Sequence, residues 1–160
     1  MRITVIFGSP RAQGNTAALL REFLSEYPDA EIKRFDAYDL ALRPCVACGG
    51  CDDGSDCVFR DADELFAACE DCDILVLASP VYNYDFPAPM KAILDRAQPW
   101  YCKYFDTRRA DPGRKGYLLL TAGCSGKFAF DIMERQFRVF CREFGVTFAG
   151  TRTVAGTDKF

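Results

Sequence analysis

Four cysteines, Cys45, Cys48, Cys51 and Cys57, stand at the spacing C-x2-C-x2-C-x5-C. Thiolates two residues apart can point into one small volume, as a tetrahedral metal or an iron–sulfur cubane requires. In ferredoxin runs of similar spacing the fourth cysteine serves another cluster, whereas this compact set suffices for one 4Fe–4S cluster. Two alternatives stay open on the residues alone. Zinc on the same four sulfurs would be structural, because zinc does not change redox state. Metal-free thiols or disulfides are the other.

A second stretch, Gly8-Ser9-Pro10-Arg11-Ala12-Gln13-Gly14-Asn15-Thr16, follows an apolar run and precedes an amphipathic one. That order predicts strand, polar loop, helix. Main-chain N–H groups and hydroxyls at the positive end of a helix suit a phosphate. The loop is not a nucleoside-triphosphate loop: Asn15 stands where the lysine belongs, and five residues rather than four separate Gly8 and Gly14. The dinucleotide pattern G-x-G-x-x-G is missing, and so are the acidic residues of a phosphoaspartate receiver. Ser9, Arg11, Gly14, Asn15 and Thr16 suit one terminal phosphate, with Arg11 supplying charge. The plainer alternative is that Ser9 and Thr16 cap the helix and Gly14 turns the chain.

Composition narrows the classes. The chain has 160 residues, 49% hydrophobic and 27% charged, with a net charge of −3. One domain spanning 1–160 with a full core is expected. No basic block is present, so nucleic acid is not an expected partner. Apolar runs are of strand length, so no membrane span is expected. Histidine is absent, which excludes Ser-His and Cys-His mechanisms. Nine cysteines, an odd number, with no secretion signal before the first strand, predict a cytoplasmic protein with metal-binding or redox thiols.

Strands and helices alternate. Strands are predicted at 3–7, 30–35, 74–78, 117–121 and 146–151, the second at an edge. Helices are predicted over 17–27, from a cap at Asp61 to about Glu70, after Pro87 and Pro89, and along the Met133, Phe137, Phe140, Cys141 and Phe144 stripe ending at Gly145. A cysteine-rich loop fills 43–59, and Asp106 to Arg114 reads as a surface loop. Trp100-Tyr101 and Tyr104-Phe105 read chiefly as core aromatics. Such alternation predicts a doubly wound parallel α/β sheet with ligands beyond the carboxyl ends of its strands, at 8–16, 79–84 and 122–127. Too few residues follow Thr151 for a sixth helix. That predicts a second subunit over part of one sheet face, or a shortened chain.

Gly8-Ser9-Pro10-Arg11 with Gly14-Asn15-Thr16, then Ser79-Pro80-Val81-Tyr82, then Lys91-Ala92-Ile93-Leu94-Asp95-Arg96, resemble the NADPH-dependent FMN reductase family. The resemblance implies a flavodoxin-like, three-layer α/β/α fold with a five-stranded sheet of order 2-1-3-4-5, and bound FMN. Ser9, Arg11, Gly14, Asn15 and Thr16 would hold its phosphate. Pro80, Val81, Tyr82, Asn83 and Tyr84 would line the isoalloxazine, the loop offering main-chain N–H groups to its polar edge. Ala122, Gly123 and Cys124 would close the other side. Lys91, Asp95 and Arg96 read as structural. The cysteine loop resembles that of the iron–sulfur flavoproteins within this family. The implied activity is NAD(P)H-dependent flavin oxidoreduction, with electrons leaving through a 4Fe–4S cluster to a redox partner from a homo-oligomer (dimer or tetramer). No side chain is assigned as catalytic acid or base. Alternatives are a flavodoxin-like carrier without NAD(P)H activity, and a plain FMN reductase whose cysteine loop is empty or zinc-bound.

Overall fold

A computed structural model describes residues 1–104, 106–107, 109–124 and 128–157. Phe105 of the aromatic pair and 125–127 of the third predicted loop lie outside the described residues. The strands are β1 (Arg2–Phe7), β2 (Glu31–Asp36), β3 (Ile74–Pro80), β4 (Asp111–Thr121) and β5 (Val146–Val154). The helices are α1 (Asn15–Leu24), α2 (Asp63–Asp71), α3 (Ala88–Asp95), α4 (Gln98–Tyr104) and α5 (Phe128–Glu143). All neighbouring strands pair in parallel, in the order β2-β1-β3-β4-β5. This is the flavodoxin-like order, with the predicted edge strand at the edge.

Burial follows the strand period. In β1 and β3, Ile6, Leu75 and Leu77 face a core shared with α2, α3 and α5. Ile3, Val5, Phe7, Ile74, Val76 and Ala78 face the other way, onto Leu19, Leu20 and Phe23 of α1. Two-sided burial explains why β3 is apolar from Ile74 to Ala78, whereas β2 is mostly exposed. The stripe of α5 is buried as its spacing predicts, and Gly145 closes it by donating to Arg142 O at 3.1 Å. Trp100 packs against both Phe66 and Phe144, with ring centroids 4.6 and 5.2 Å away.

Beside α1, β5 carries Arg152. Its guanidinium lies 4.9 Å from the Phe23 ring and grips Glu26. A long, half-buried cation thus covers apolar surface on the face that α1 packs against.

Two expectations are corrected. The stretch 106–114 is not wholly loop, because β4 already begins at Asp111. Arg114 explains the order: it donates to Cys72 O, Cys69 O and Phe144 O at 2.7–2.8 Å, tying the strand to the ends of α2 and α5. Asp61 does not cap α2. Ala62 occupies the cap position without a side-chain bond, and the Asp61 carboxylate is engaged by Arg96 and Arg43 instead.

Candidate functional site

The carboxyl end of the sheet carries a cleft of about 310 Å³. Ser9, Arg11, Gly14, Asn15 and Thr16 line it from the β1–α1 loop; Pro80, Val81 and Tyr82 line it from the end of β3. Thr121, Gly123 and Thr157 complete the wall. The loop is bent inward by its own bonds: Ser9 Oγ accepts from Arg11 N at 3.2 Å, and Gly14 N donates to Arg11 O at 3.2 Å. Gly8 permits the close approach, since a Cβ there would meet Met90 at 2.7 Å and Ser79 Oγ at 3.1 Å. No side chain caps α1 and no acid lies in its first turn. The positive end of that helix therefore faces the cleft without an anion of its own. Thr16, 3% exposed, holds its hydroxyl 2.7 Å from that of Thr121.

Thr121 and Thr157 were missed in the sequence. Thr121 could have been read from its place at the end of β4. Thr157 could not: it reaches the site because the segment after β5 folds back, donating N–H and Oγ to Ala122 O at 3.1 Å.

Four of the predicted residues do not line the cleft. Ala122 is buried beneath it, and Cys124 is exposed. Asn83 and Tyr84 form the tip of a two-residue turn, with φ of 49° and 63°. Tyr82 N donates to Asp85 O and Asp85 N to Tyr82 O, both at 2.9 Å. Val81 N is also engaged, by Thr121 O at 2.8 Å. The expected set of main-chain donors on this loop is corrected accordingly: those of Val81 and Tyr82 are consumed by the fold, which leaves the turn residues.

Cys45, Cys48, Cys51 and Cys57 surround a second cavity of about 270 Å³, walled also by Val58, Phe59, Arg96 and Pro99. All four are free thiols. The loop has few main-chain bonds of its own, among them Asp52 N to Gly49 O at 3.2 Å and Gly54 N to Cys51 O at 2.9 Å. Its shape is imposed from α3. Arg96, 1% exposed, donates to Arg43 O at 2.5 Å and Phe59 O at 2.9 Å and pairs with Asp61 at 2.8 Å. Asp61 in turn accepts from Arg43 N at 2.9 Å. Burial works to raise the Asp61 carboxyl, but hydrogen bonds from Arg96 and the Arg43 main chain outweigh it and hold the group at about 2. Both ends of the loop are thus pinned by one buried guanidinium. Lys103 adds an ion pair to Asp56 at 2.6 Å.

Cys102 of α4 is a fifth thiol here. Its sulfur, the Cys51 sulfur and an Asp52 carboxylate oxygen lie within 4.8 Å of one another. Burial first, then Cys102 and Asp52, push the Cys51 thiol up to about 11. Sulfurs on a single zinc tetrahedron stand about 3.8 Å apart. Among the described residues, the group found within 4.8 Å contains only Cys51 of the four loop cysteines. The donors are soft thiolates, the ligand type that zinc and iron–sulfur clusters both take.

The chain belongs to the NADPH-dependent FMN reductase family, whose description matches residues 1–158. An iron–sulfur flavoprotein of Methanocaldococcus jannaschii is 34% identical over 102 residues, covering 62% of this chain and 53% of that protein. One from Archaeoglobus fulgidus is 36% identical over 103 residues, covering 62% and 47%. The chain thus spans about half the length of these curated relatives. The fold matches that of an NAD(P)H:quinone oxidoreductase from Methanothermobacter marburgensis, with a TM-score of 0.74 at 20% identity over 99% of this chain and 85% of that one. No helix among the described residues is long and apolar enough to cross a membrane.

Proposed function

We propose that this chain is an FMN-dependent oxidoreductase that draws electrons from NAD(P)H and delivers them, through a 4Fe–4S cluster on Cys45, Cys48, Cys51 and Cys57, to a redox partner. The observation that carries the proposal is the coexistence of two separate cavities sharing no lining residue. One is walled by hydroxyls, an arginine and an uncapped helix terminus, the other by four free thiols. The names of the M. jannaschii and A. fulgidus relatives support pairing an iron–sulfur centre with a flavin.

The protein's tasks are binding, orientation and insulation. The N–H groups opening α1 and the Thr16 hydroxyl would bond the FMN phosphate, with Arg11 offsetting its charge. Pro80 and Val81 offer a rigid, partly apolar wall for a flat ring, and the half-exposed Tyr82 an aromatic edge. Asn83 and Tyr84 hold the main-chain donors left for the ring's polar rim. When bound, FMN supplies two-electron acceptance from a nicotinamide and the cluster supplies one-electron release. No proton need be held by a histidine, and the chain has none. The four cysteines must lose their protons to bind iron, so cluster assembly releases protons. A homo-oligomer and a cytoplasmic location belong to the same proposal.

The test is purification without oxygen, followed by flavin, iron, sulfide and zinc assays and rapid mixing with NADH and NADPH. One FMN, about four irons with matching sulfide, and flavin bleaching by a nicotinamide alone are expected. Zinc in place of iron would overturn the cluster. Flavin that stays oxidised until a separate reductase is added would make the chain a carrier.

A further inference from the structure

Arg96 holds the cysteine loop through three bonds, and none of them uses its Nε. Its terminal nitrogens serve Arg43 O, Phe59 O and the Asp61 carboxylate. Its Nε–H is buried and has no hydrogen-bond partner among the described residues. Leaving a charged group's N–H unpaired in the interior costs about 1–3 kcal/mol or more. Such an atom calls for an acceptor. Arg96 lines the cavity that the four cysteines surround, and of those cysteines Cys57 also lines, together with Arg96 and Phe59, the adjoining cavity against α2. A neutral thiol is a weak acceptor; a metal-bound thiolate is a strong, charged one.

We infer that Arg96 is a positioning and tuning residue of the cluster, its Nε–H donating to the Cys57 thiolate once iron is bound. The inference rests on the cluster reading above and adds to it a function for a residue that otherwise reads as a strut. The physical consequence is directional. A hydrogen bond and a buried positive charge beside a cluster sulfur favour the more negative, reduced state, and so raise the reduction potential. The clamp also fixes where the donor sits, because the Asp61 pair prevents the guanidinium from rotating to satisfy Nε elsewhere.

The experiment uses the full chain purified without oxygen from cells fed ¹⁵N-arginine. Electron–nuclear resonance on the reduced cluster should show a ¹⁵N coupling in the wild type. Arg96→Lys keeps a cation but has no Nε–H fork, and should lose the coupling. Its midpoint should fall so that the reduced-to-oxidised ratio at fixed potential drops about tenfold, ~59 mV for one electron. Asp61→Asn loosens the same clamp without touching Nε, so it should retain the coupling. Absence of arginine coupling in the iron-loaded wild type, its persistence in Arg96→Lys, or an unchanged Arg96→Lys midpoint would each overturn the inference while leaving the cluster reading standing. Should Arg96→Lys fail to hold iron, the wild-type coupling alone decides. A wild type without iron and sulfide would bring down the cluster reading, and this inference with it.

Discussion

The cleft and the cysteine cavity are built by opposite means. Around the cleft the supports are main-chain: strand ends, the uncapped start of α1, and the bonds from Val81 N to Thr121 O and from Thr157 N to Ala122 O. Around the cysteines the supports are side chains from other elements, led by a single buried arginine. A site made from strand termini inherits the rigidity of the sheet. A site hung from one guanidinium is only as ordered as that clamp and whatever fills its centre. The two should therefore fail independently, and that is the comparison to break.

The largest expected effect is on the loop. Cys48→Ala removes one of the four proposed ligands and should abolish nearly all iron and sulfide while FMN stays at one per chain, measured on anaerobic protein. Iron that persists would mean a wrong ligand set. FMN falling in parallel would mean the two cavities are coupled, contrary to their separate walls. Next comes the cleft. Thr16→Ala removes a hydroxyl, otherwise paired with Thr121, from the proposed phosphate cradle. FMN binding should weaken by about 1–3 kcal/mol, roughly 5- to 150-fold, by fluorescence titration, with iron unchanged. Unaltered affinity would remove Thr16 from the cradle.

The same contrast decides what could be read from the sequence. The cleft's place was legible because it is built locally: a strand, a loop of small polar residues and a helix start are contiguous. That the four loop cysteines come together was legible by spacing. Their support was not, since Arg96 lies 53 residues from Arg43 and 37 from Phe59, and nothing local marks an arginine at the end of α3 as buried. Asp61 misled for the same reason. An acid before a helix reads as a cap until a distant cation claims it. Helix α4, and with it Cys102, escaped because seven residues carry too little periodicity.

A smaller effect tests the clamp through pH. The Asp61 carboxyl sits lower in the fold than the ordinary value of 3.8. The stability it lends is complete above about pH 4 and is lost as pH falls through about 2. Hydrogen exchange across 43–61 should thus be slower in the wild type than in Asp61→Asn at pH 5, with the gap closing near pH 2. Exchange in the cleft loop at 8–16 should not distinguish the two proteins. A gap of equal size in both segments would show the clamp stabilising the whole domain rather than the loop.

The smallest expected effect concerns strain on the cleft side. Asn83 and Tyr84 both have positive φ in a turn closed by Tyr82 and Asp85. Asparagine tolerates the first position of such a turn, and glycine is the usual second. A tyrosine there costs about 1 kcal/mol or more, and Tyr84, 61% exposed, gains little packing in return. Tyr84→Gly should therefore raise the melting temperature by about 2–4 °C for a chain of this size. A strained, exposed aromatic beside a ligand cleft points to use by the ligand. The more stable variant should show a higher KM for the nicotinamide, with FMN affinity little changed. If the melting temperature does not rise, the ring is held by the fold after all. If it rises and KM stays put, the strain serves nothing in the cleft, and the main-chain site is less economical in its construction than its rigidity suggests.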